Sequence, residues 1–483
     1  MRLNGDLFRM PFSPALRRVL IVTTLGSFLA FLDSSIVNVA LRSLSERFDT
    51  PLSSIQWTVT AYLLALAAVL PVSGWAAARF GAKRMYALAI GVFTLGSLAC
   101  GLSDSIGELI AFRAVQGAAA AVAAPVAQMI AVRAAGPERL AKVMSVTGVP
   151  TILAPILGPA VGGLLLDHAG WRWIFLINVP IGALIVVLAL RLLERDEATG
   201  AGRLDLPGFL LLALGCVGLT YGLNEFGAGS DFVSRQVLPW TVGGVLLLGI
   251  FVVHALRAPA PLTDLRLYRN ARYTAASVAN FFLGAALFGA VILMPLYFQI
   301  VRHESPVATG LLLIPQSIGV AIAVGSGSRF VQSLGIGRAV LLGGLVSTVA
   351  TLPFVLIGAH TSYWLLGAVM VVRGFGVGAT MVPVMTAAFR VIPPTAIADA
   401  TVQTNVLQRI GGSLSTAILA AVLQSRLDTA TTSAQQAAGF GTAFWWVLAI
   451  GVCATAPAFL LLKAERAGQP AEQPREPAPS AHQ

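Results

Sequence analysis

Apolar residues run along this chain in long blocks, each close to the length that crosses a lipid bilayer and each ended by a short polar or basic connector. A spanning helix needs about 20 mainly apolar residues. In hydrocarbon its backbone polar groups have no partner but one another. On that measure the sequence predicts spans over about 19–41, 55–77, 85–103, 107–132, 142–166, 172–192, 206–226, 236–256, 274–300, 308–331, 338–358, 362–388, 402–424 and 440–462. Fourteen is an even number, so both termini fall on one side. The short connectors make sequence neighbours antiparallel. The expected fold class is an all-α integral membrane protein.

Composition agrees with that pattern. Of 483 residues, 57% are hydrophobic and 11% charged, where a soluble chain carries roughly 25% charged residues. A net charge of +11 on a soluble protein would suggest nucleic acid, but the placement of the basic residues decides otherwise. With the termini in the cytoplasm, 23 of the 32 Lys and Arg fall in cytoplasmic segments. Six (Arg42, Arg47, Arg172, Arg235, Arg302, Arg426) fall on the far side, and three (Arg113, Arg373, Arg409) fall within spans. This is the positive-inside bias of a plasma-membrane protein. It makes the lipid bilayer the expected partner and excludes nucleic acid. Arg17 and Arg18 precede an apolar run that continues to about Leu41. That run is too long for a cleaved signal and lacks a small-residue cleavage site, so it reads as a retained first span. Cys100, Cys216 and Cys453 each sit in an apolar run, where neither a disulfide nor a metal site is expected.

A weak internal repeat divides the chain. Arg113, Gly117 and Pro125 in the fourth span match Arg373, Gly374 and Pro383 in the twelfth. Both spans exit through a proline turn (Gly136-Pro137; Pro393-Pro394) into a Gly-rich span. The match relates spans 1–6 to spans 9–14 and leaves spans 7–8 as an inserted hairpin. The expected units are therefore residues 1–198, a linker hairpin over 199–262, and residues 263–466. A Pro-, Ala-, Gln- and Glu-rich tail over 467–483 is expected to be disordered.

Within the spans, a few polar groups could carry chemistry. Asp33 lies in mid-span, where a carboxylate costs about 2.5–3.5 kcal/mol on insertion scales. A low-dielectric setting favours the neutral acid, so such a group can hold a proton, release it, and attract a cation when ionised. The alternative is a structural carboxylate pinned by Ser or backbone donors. Arg113 shares a helix face with Gln116, Gly117 and Ala120. It cannot deprotonate, so it either tunes a titrating carboxylate or serves as an interhelical strut. Ala154, Gly158 and Gly162 recur every four residues, among Gly148, Pro155 and Pro159. That spacing suits close helix packing, either as a bendable seam or as ordinary packing. The turn Gly74–Arg84, with Arg79, Gly81, Lys83 and Arg84, could latch neighbouring helix ends or simply anchor the chain. Tyr62, Asn280, Gln299, Gln316, Asn405, Gln408 and Arg409 could line a cavity or cap helices, and Asn224 and Glu225 are expected at the outer interface in water. No His, Asp or Cys cluster resembles a metal or hydrolase site. No Gly-x-x-x-x-Gly-Lys cradle for ATP phosphates is present.

These residues resemble the 14-helix drug:proton antiporter branch of the major facilitator superfamily, over about residues 15–465. The most specific segment is Leu32-Asp33-Ser34-Ser35-Ile36-Val37-Asn38-Val39-Ala40-Leu41. Gln56–Tyr62 and Trp171–Pro180 are also typical of that branch. Arg113 to Gly117 resembles its fourth-helix motif linked to proton transfer, and Gly148 to Gly163 its fifth-helix motif linked to antiport. The chain departs from the pattern at Ala78, where the family carries Asp, at Arg42, where Pro is frequent, and in the order Gln408-Arg409. The second-half loop Ser328–Gly335 departs further.

The resemblance implies a fold of 6+2+6 helices that is not an enzyme. The implied activity is proton-coupled export of lipophilic, often cationic, small molecules by alternating access. The proton is the coupling ion, with no cofactor and no metal. Asp33, Arg113, Gln116 and Tyr62 would handle protons and solute, with Arg373, Asn405, Gln408 and Arg409 as candidates in the second half. The alternatives are an exporter dedicated to one metabolite or self-made compound, or a non-transporting membrane sensor or a membrane enzyme. The sequence leaves room for a periplasmic adaptor protein.

Overall fold

A computed structural model describes residues 12–194, 202–227, 231 and 233–467. Fourteen long helices follow one another, and no strand occurs among the described residues. They are α1 (Pro14–Phe48), α2 (Leu52–Val69), α3 (Ala82–Leu102), α4 (Ile106–Thr147), α5 (Val149–His168), α6 (Asn178–Leu192), α7 (Leu206–Gly227) and α8 (Leu238–Arg257). The rest are α9 (Ala271–Leu296), α10 (Ile314–Leu334), α11 (Ile336–Val349), α12 (Tyr363–Arg390), α13 (Ile397–Leu427) and α14 (Ser433–Cys453). Thirteen stretches of the described chain are long and apolar enough to cross a membrane. The remaining helix, α5, has 20 residues, several with side chains outside the described set. The chain is thus a multi-pass membrane protein. The expected disordered tail lies almost wholly outside the described residues.

Local chemistry sets the helix ends. Ser13 Oγ accepts from the Leu16 N–H, with Pro14 in the first turn. Thr432 and Gln435 form a reciprocal capping box at α14. Such bonds satisfy orphan N–H groups. Gly81 (φ 88°) and Gly335 (φ 79°) open α3 and α11 in a backbone region that only glycine enters readily. They occupy matching positions in the two halves of the repeat. The expected break at Gly136-Pro137 is real. Gly136 (φ 64°, ψ 169°) is the non-helical residue inside α4, so α4 is two helices meeting at a turn. The chain stays helical to Thr147, and α5 starts at Val149 rather than near 142.

Helices α1–α6 pack mainly on one another, as do α9–α14. The repeat extends to packing. A Cβ added at Gly117 on α4 would land on the Tyr62 carbonyl of α2, and one at Gly374 on α12 would land on the Gln316 carbonyl of α10. The repeat's arginines stand at different offsets from these glycines, so they face different surroundings. Helix α7 of the inserted hairpin packs on both α2 and α13, bridging the two sets. Trp57 of α2 stacks on Tyr221 of α7, which meets Trp240 of α8 edge-on.

The core shows which end is shut. At the end carrying both described chain termini, one continuous apolar cluster joins the sets through Leu16, Leu20, Ala77, Ile336, Ala388, Ile397, Ala458 and Leu461. At the other end it divides. Ile36, Leu44, Ile55, Trp171 and Phe175 form one cluster, and Leu293, Tyr297, Phe354, Leu419 and Phe444 another. A cavity of about 560 Å³ lies between the sets.

Candidate functional site

Asp33 is fully buried, and five helices meet around it. Its Oδ2 accepts from Arg113 Nη1 of α4 at 2.6 Å, and its Oδ1 accepts from Asn178 Nδ2 at the start of α6 at 2.8 Å. Asn178 Nδ2 also donates to Ser97 Oγ of α3 at 3.0 Å, and Ser97 in turn donates to the Phe175 carbonyl. From α2, the Thr58 carbonyl accepts from Arg113 Nε at 3.2 Å, and the Tyr62 ring lies 4.3 Å from the guanidinium carbon. Gln116 Oε1, one turn along α4, accepts from Arg113 Nη1 at 3.0 Å and from Cys100 Sγ at 3.2 Å. Asp33, Arg113, Gln116, Asn178 and Ser97 are each at most 1% exposed. Water therefore does not solvate the pair, and its stability rests on the fixed bonds around it.

The sequence offered two readings of Asp33 and two of Arg113. The structure joins them. The carboxylate is held by an arginine and an amide, not by Ser34, whose hydroxyl donates to the Phe31 carbonyl. Two buried atoms of the cluster lack partners, Asn178 Oδ1 and Gln116 Nε2. An acceptor and a donor thus stand uncommitted beside the ion pair. Sequence reasoning singled out neither Asn178 nor Ser97. The signal available was an amide standing at the head of an apolar run.

The other predicted residues spread outward from this point. Gly158 and Gly162 of α5 meet α1 at Ser35 and Ile36, where an added Cβ would collide. The small-residue seam therefore runs immediately beside Asp33. Gly148 faces Val324 of α10 and Met381 of α12. Pro155 and Pro159 lie in the α5 backbone, and their side chains fall outside the described residues.

Gly74 lies against Ala398 and Val402 of α13, within the closed end. Trp75 Nε1 donates to the Gly202 carbonyl at 3.1 Å, Lys83 Nζ donates to the Leu193 carbonyl, and Arg79 and Arg84 are exposed. Asn405 of α13 donates to Gln128 Oε1 of α4 at 2.9 Å, a polar tie between the sets at that end. The carbonyl of Gln408 faces Gly284 of α9. Arg373 is buried and reaches Thr351 Oγ1 at 3.2 Å and the Ala286 carbonyl at 3.5 Å, with no carboxylate partner among the described residues. Arg409 lines the cavity.

Helix directions place the cavity's depth. Leu41 of α1, Gln56 of α2, Asn224 of α7 and Ala420 of α13 lie toward the open end, while Leu70, Val406 and Arg409 lie toward the closed end. Asn224 was expected merely at the outer interface. It lines the cavity because α7 fills the gap between α2 and α13. Tyr62 is buried against the Arg113 guanidinium, and neither Tyr62 nor Asp33 is among the described residues that line the cavity. No group of His, Cys, Asp and Glu among the described residues could hold a metal ion.

Two packed sets of helices, a cavity between them open at one end, and a buried ion pair define the architecture of a membrane transporter. The chain belongs to the Major Facilitator Superfamily, whose family model matches residues 23–416. It is 36% identical over 405 residues to the multidrug resistance protein B homolog of Mycobacterium tuberculosis, covering 83% of this chain and 75% of that one. It is 30% identical over 410 residues to the putative multidrug resistance protein MdtD of Salmonella heidelberg, covering 83% and 85%. The proton:xylose symporter XylE shares the fold, with a TM-score of 0.64 at 15% identity over 93% of this chain and 95% of that one.

Proposed function

We propose that this chain is a proton-coupled antiporter that exports lipophilic small molecules across the plasma membrane by alternating access, with both termini cytoplasmic. In that orientation the cavity faces outward and the closed end is the cytoplasmic gate. The six-helix units at 1–198 and 263–466 rock against each other, and the hairpin over 199–262 bridges them. The transport family, the relatives' names and the basic bias toward the termini side all support this reading.

One observation carries the mechanism: Asp33 and Arg113 form a sealed pair at 2.6 Å near the small-residue seam of α1 and α5. Protonating Asp33 at Oδ2 removes the charge that Arg113 neutralises. Arg113 then keeps the Thr58 carbonyl, Gln116 Oε1 and the Tyr62 ring, while the new O–H needs an acceptor. Asn178 Oδ1, uncommitted in the ionised state, supplies one by a turn of its amide. The two charge states thus favour different arrangements of α1, α4 and α6, and the equilibrium between outward and inward forms follows the proton. Gly158 and Gly162 let α5 slide on α1 as this happens.

The test is ΔpH-driven transport in proteoliposomes with Asp33→Asn. The expected outcome is binding of solute without coupled transport. Full antiport in that variant would remove Asp33 from the role. Everted vesicles with and without an uncoupler, offered dyes of each charge, test the coupling ion independently.

A further inference from the structure

Among the described residues that line the cavity, Arg409 is the only charged side chain, and none is acidic. Four other arginines in or beside spans have partners. Arg113 has Asp33, Arg172 has Asp104, Arg373 has Thr351 and the Ala286 carbonyl, and Arg302 has Tyr363 and the Ala359 and Thr361 carbonyls. Arg409 has no hydrogen-bond or ion-pair partner among the described residues. Asp33 does not serve as one. It is fully buried, lines no part of the cavity, and gives its two oxygens to Arg113 and Asn178.

An arginine cannot discard its charge, and an intramembrane charge is held by a partner or marks a solute path. The rest of the wall is mostly apolar, with Leu63, Leu223, Phe288 and Ile292, and has a few neutral polar groups such as Asn224 and Ser413. That combination suits a solute with an apolar body and one negative group. The guanidinium fork matches a carboxylate or sulfonate in two parallel bonds.

We propose that the cavity recognises amphipathic organic acids, with Arg409 as their counter-ion. This rests on the transport reading above and names its solute class. The charge that a solute meets in the outward-facing cavity is positive, and the coupling carboxylate stays apart from it. Proton and solute therefore occupy different sites.

The test uses purified full-length protein and three probes, 1-anilinonaphthalene-8-sulfonate as the acid, ethidium as the cation and Nile red as the neutral body. Binding is read by fluorescence at equilibrium with no gradient. The expected result is that Arg409→Gln weakens the sulfonate by roughly ten- to a hundredfold, the loss of a charge-assisted bond. Nile red should change less than about threefold, and ethidium should hold or improve. Arg409→Lys keeps most of the sulfonate affinity.

Ser413→Glu leaves the arginine in place and puts an acid one helical turn away. It should lower sulfonate binding as Arg409→Gln does, which guards against a variant that merely misfolds. Equal sulfonate affinity in wild type, Arg409→Gln and Ser413→Glu overturns the proposal. So does a wild-type preference for ethidium that Arg409→Gln leaves intact. Repeating the titration in phosphatidylcholine vesicles with and without phosphatidylglycerol separates a solute acid from a lipid headgroup. Unchanged sulfonate affinity supports the solute, and complete displacement by the anionic lipid overturns it. Failure of the transport reading looks different, because Arg409-dependent binding would then persist without any ΔpH-driven movement of the sulfonate.

Discussion

Removing one member of the Asp33–Arg113 pair should damage the protein more than removing both charges. Arg113→Gln leaves a carboxylate at 0% exposure with one donor, Asn178 Nδ2. Breaking a buried pair from one side costs about 3–5 kcal/mol, because the survivor is uncompensated. Asp33→Asn strands the guanidinium, which cannot shed its charge and keeps only the Thr58 carbonyl, Gln116 Oε1 and the Tyr62 ring, so it falls in the same range of about 3–5 kcal/mol. In the double variant no charge is stranded. Two neutral amides face each other across a distance set by the five surrounding helices, so stability should return to within about 2 kcal/mol of the parent. The assay is the temperature of half-loss of ligand-binding competence in detergent. It should be lowest in the two single variants, higher in the double variant and highest in wild type. Proton-coupled transport should be absent from all three variants, so stability and coupling separate. A double variant no more stable than Arg113→Gln would refute the reasoning, because it would show that the pair's charges do not compensate each other.

Gly117→Val places branched bulk on the Tyr62 carbonyl and should cost about 1–3 kcal/mol by overpacking, read as lowered thermal stability together with lost transport. Asn405→Leu removes the amide bond to Gln128 that ties the sets at the closed end. At a net of about 1 kcal/mol it should shift the outward-to-inward ratio about fivefold toward inward, measured by spin-label distances across the gate. Asp205, just before α7, responds to pH. Burial raises its proton affinity, but the Gly208 N–H, His254 and the Leu262 N–H outweigh that and hold its carboxyl below the usual carboxylate range. Its stabilisation is therefore present above a pH of about 3.9 and is lost as pH falls through its lowered folded value. Asp205→Asn should lower thermal stability at neutral pH and converge with wild type in strong acid, while divergence that grows in acid would contradict the assignment.

The fold was legible because lipid leaves the backbone few choices. The blocks of about 20 apolar residues became helical, several with a break inside them, and the Gly136-Pro137 break and the glycines at 81 and 335 fell where the turn chemistry required. The site was legible only in part. Asp33 and Arg113 announced themselves because a charge in an apolar run has no innocent explanation. Asn178 and Ser97 did not, because neutral polar residues recur throughout the spans and only the three-dimensional crossing of α1, α3 and α6 selects these two. The repeat hid another fact. Arg373 matches Arg113 in sequence pattern, yet the one-residue offset to Gly374, where Arg113 stands four from Gly117, turns it to a hydroxyl and a carbonyl. Arg409 has no hydrogen-bond or ion-pair partner among the described residues and lines the cavity, where the pattern left it between lining a cavity and capping a helix.

The separation of Asp33 from Arg409 changes what the membrane potential can drive. One charge crossing 100 mV is worth about 2.3 kcal/mol, and one pH unit about 1.4 kcal/mol. A monovalent cation leaving as one proton enters moves no net charge, so only the pH term remains and the attainable gradient is about tenfold per pH unit. A neutral solute gains one electrical term, for a few hundredfold. An organic anion leaving as a proton enters carries two charges in the favourable direction, about 6 kcal/mol in all, or a gradient of roughly ten-thousandfold. A cavity that presents an arginine while the proton sits on a separate, sealed acid therefore couples to voltage more strongly than one in which the solute and the proton compete for the same carboxylate. A potassium diffusion potential imposed at constant pH should drive the sulfonate and leave ethidium unmoved. Equal responses from the two would place the solute's charge on Asp33 after all.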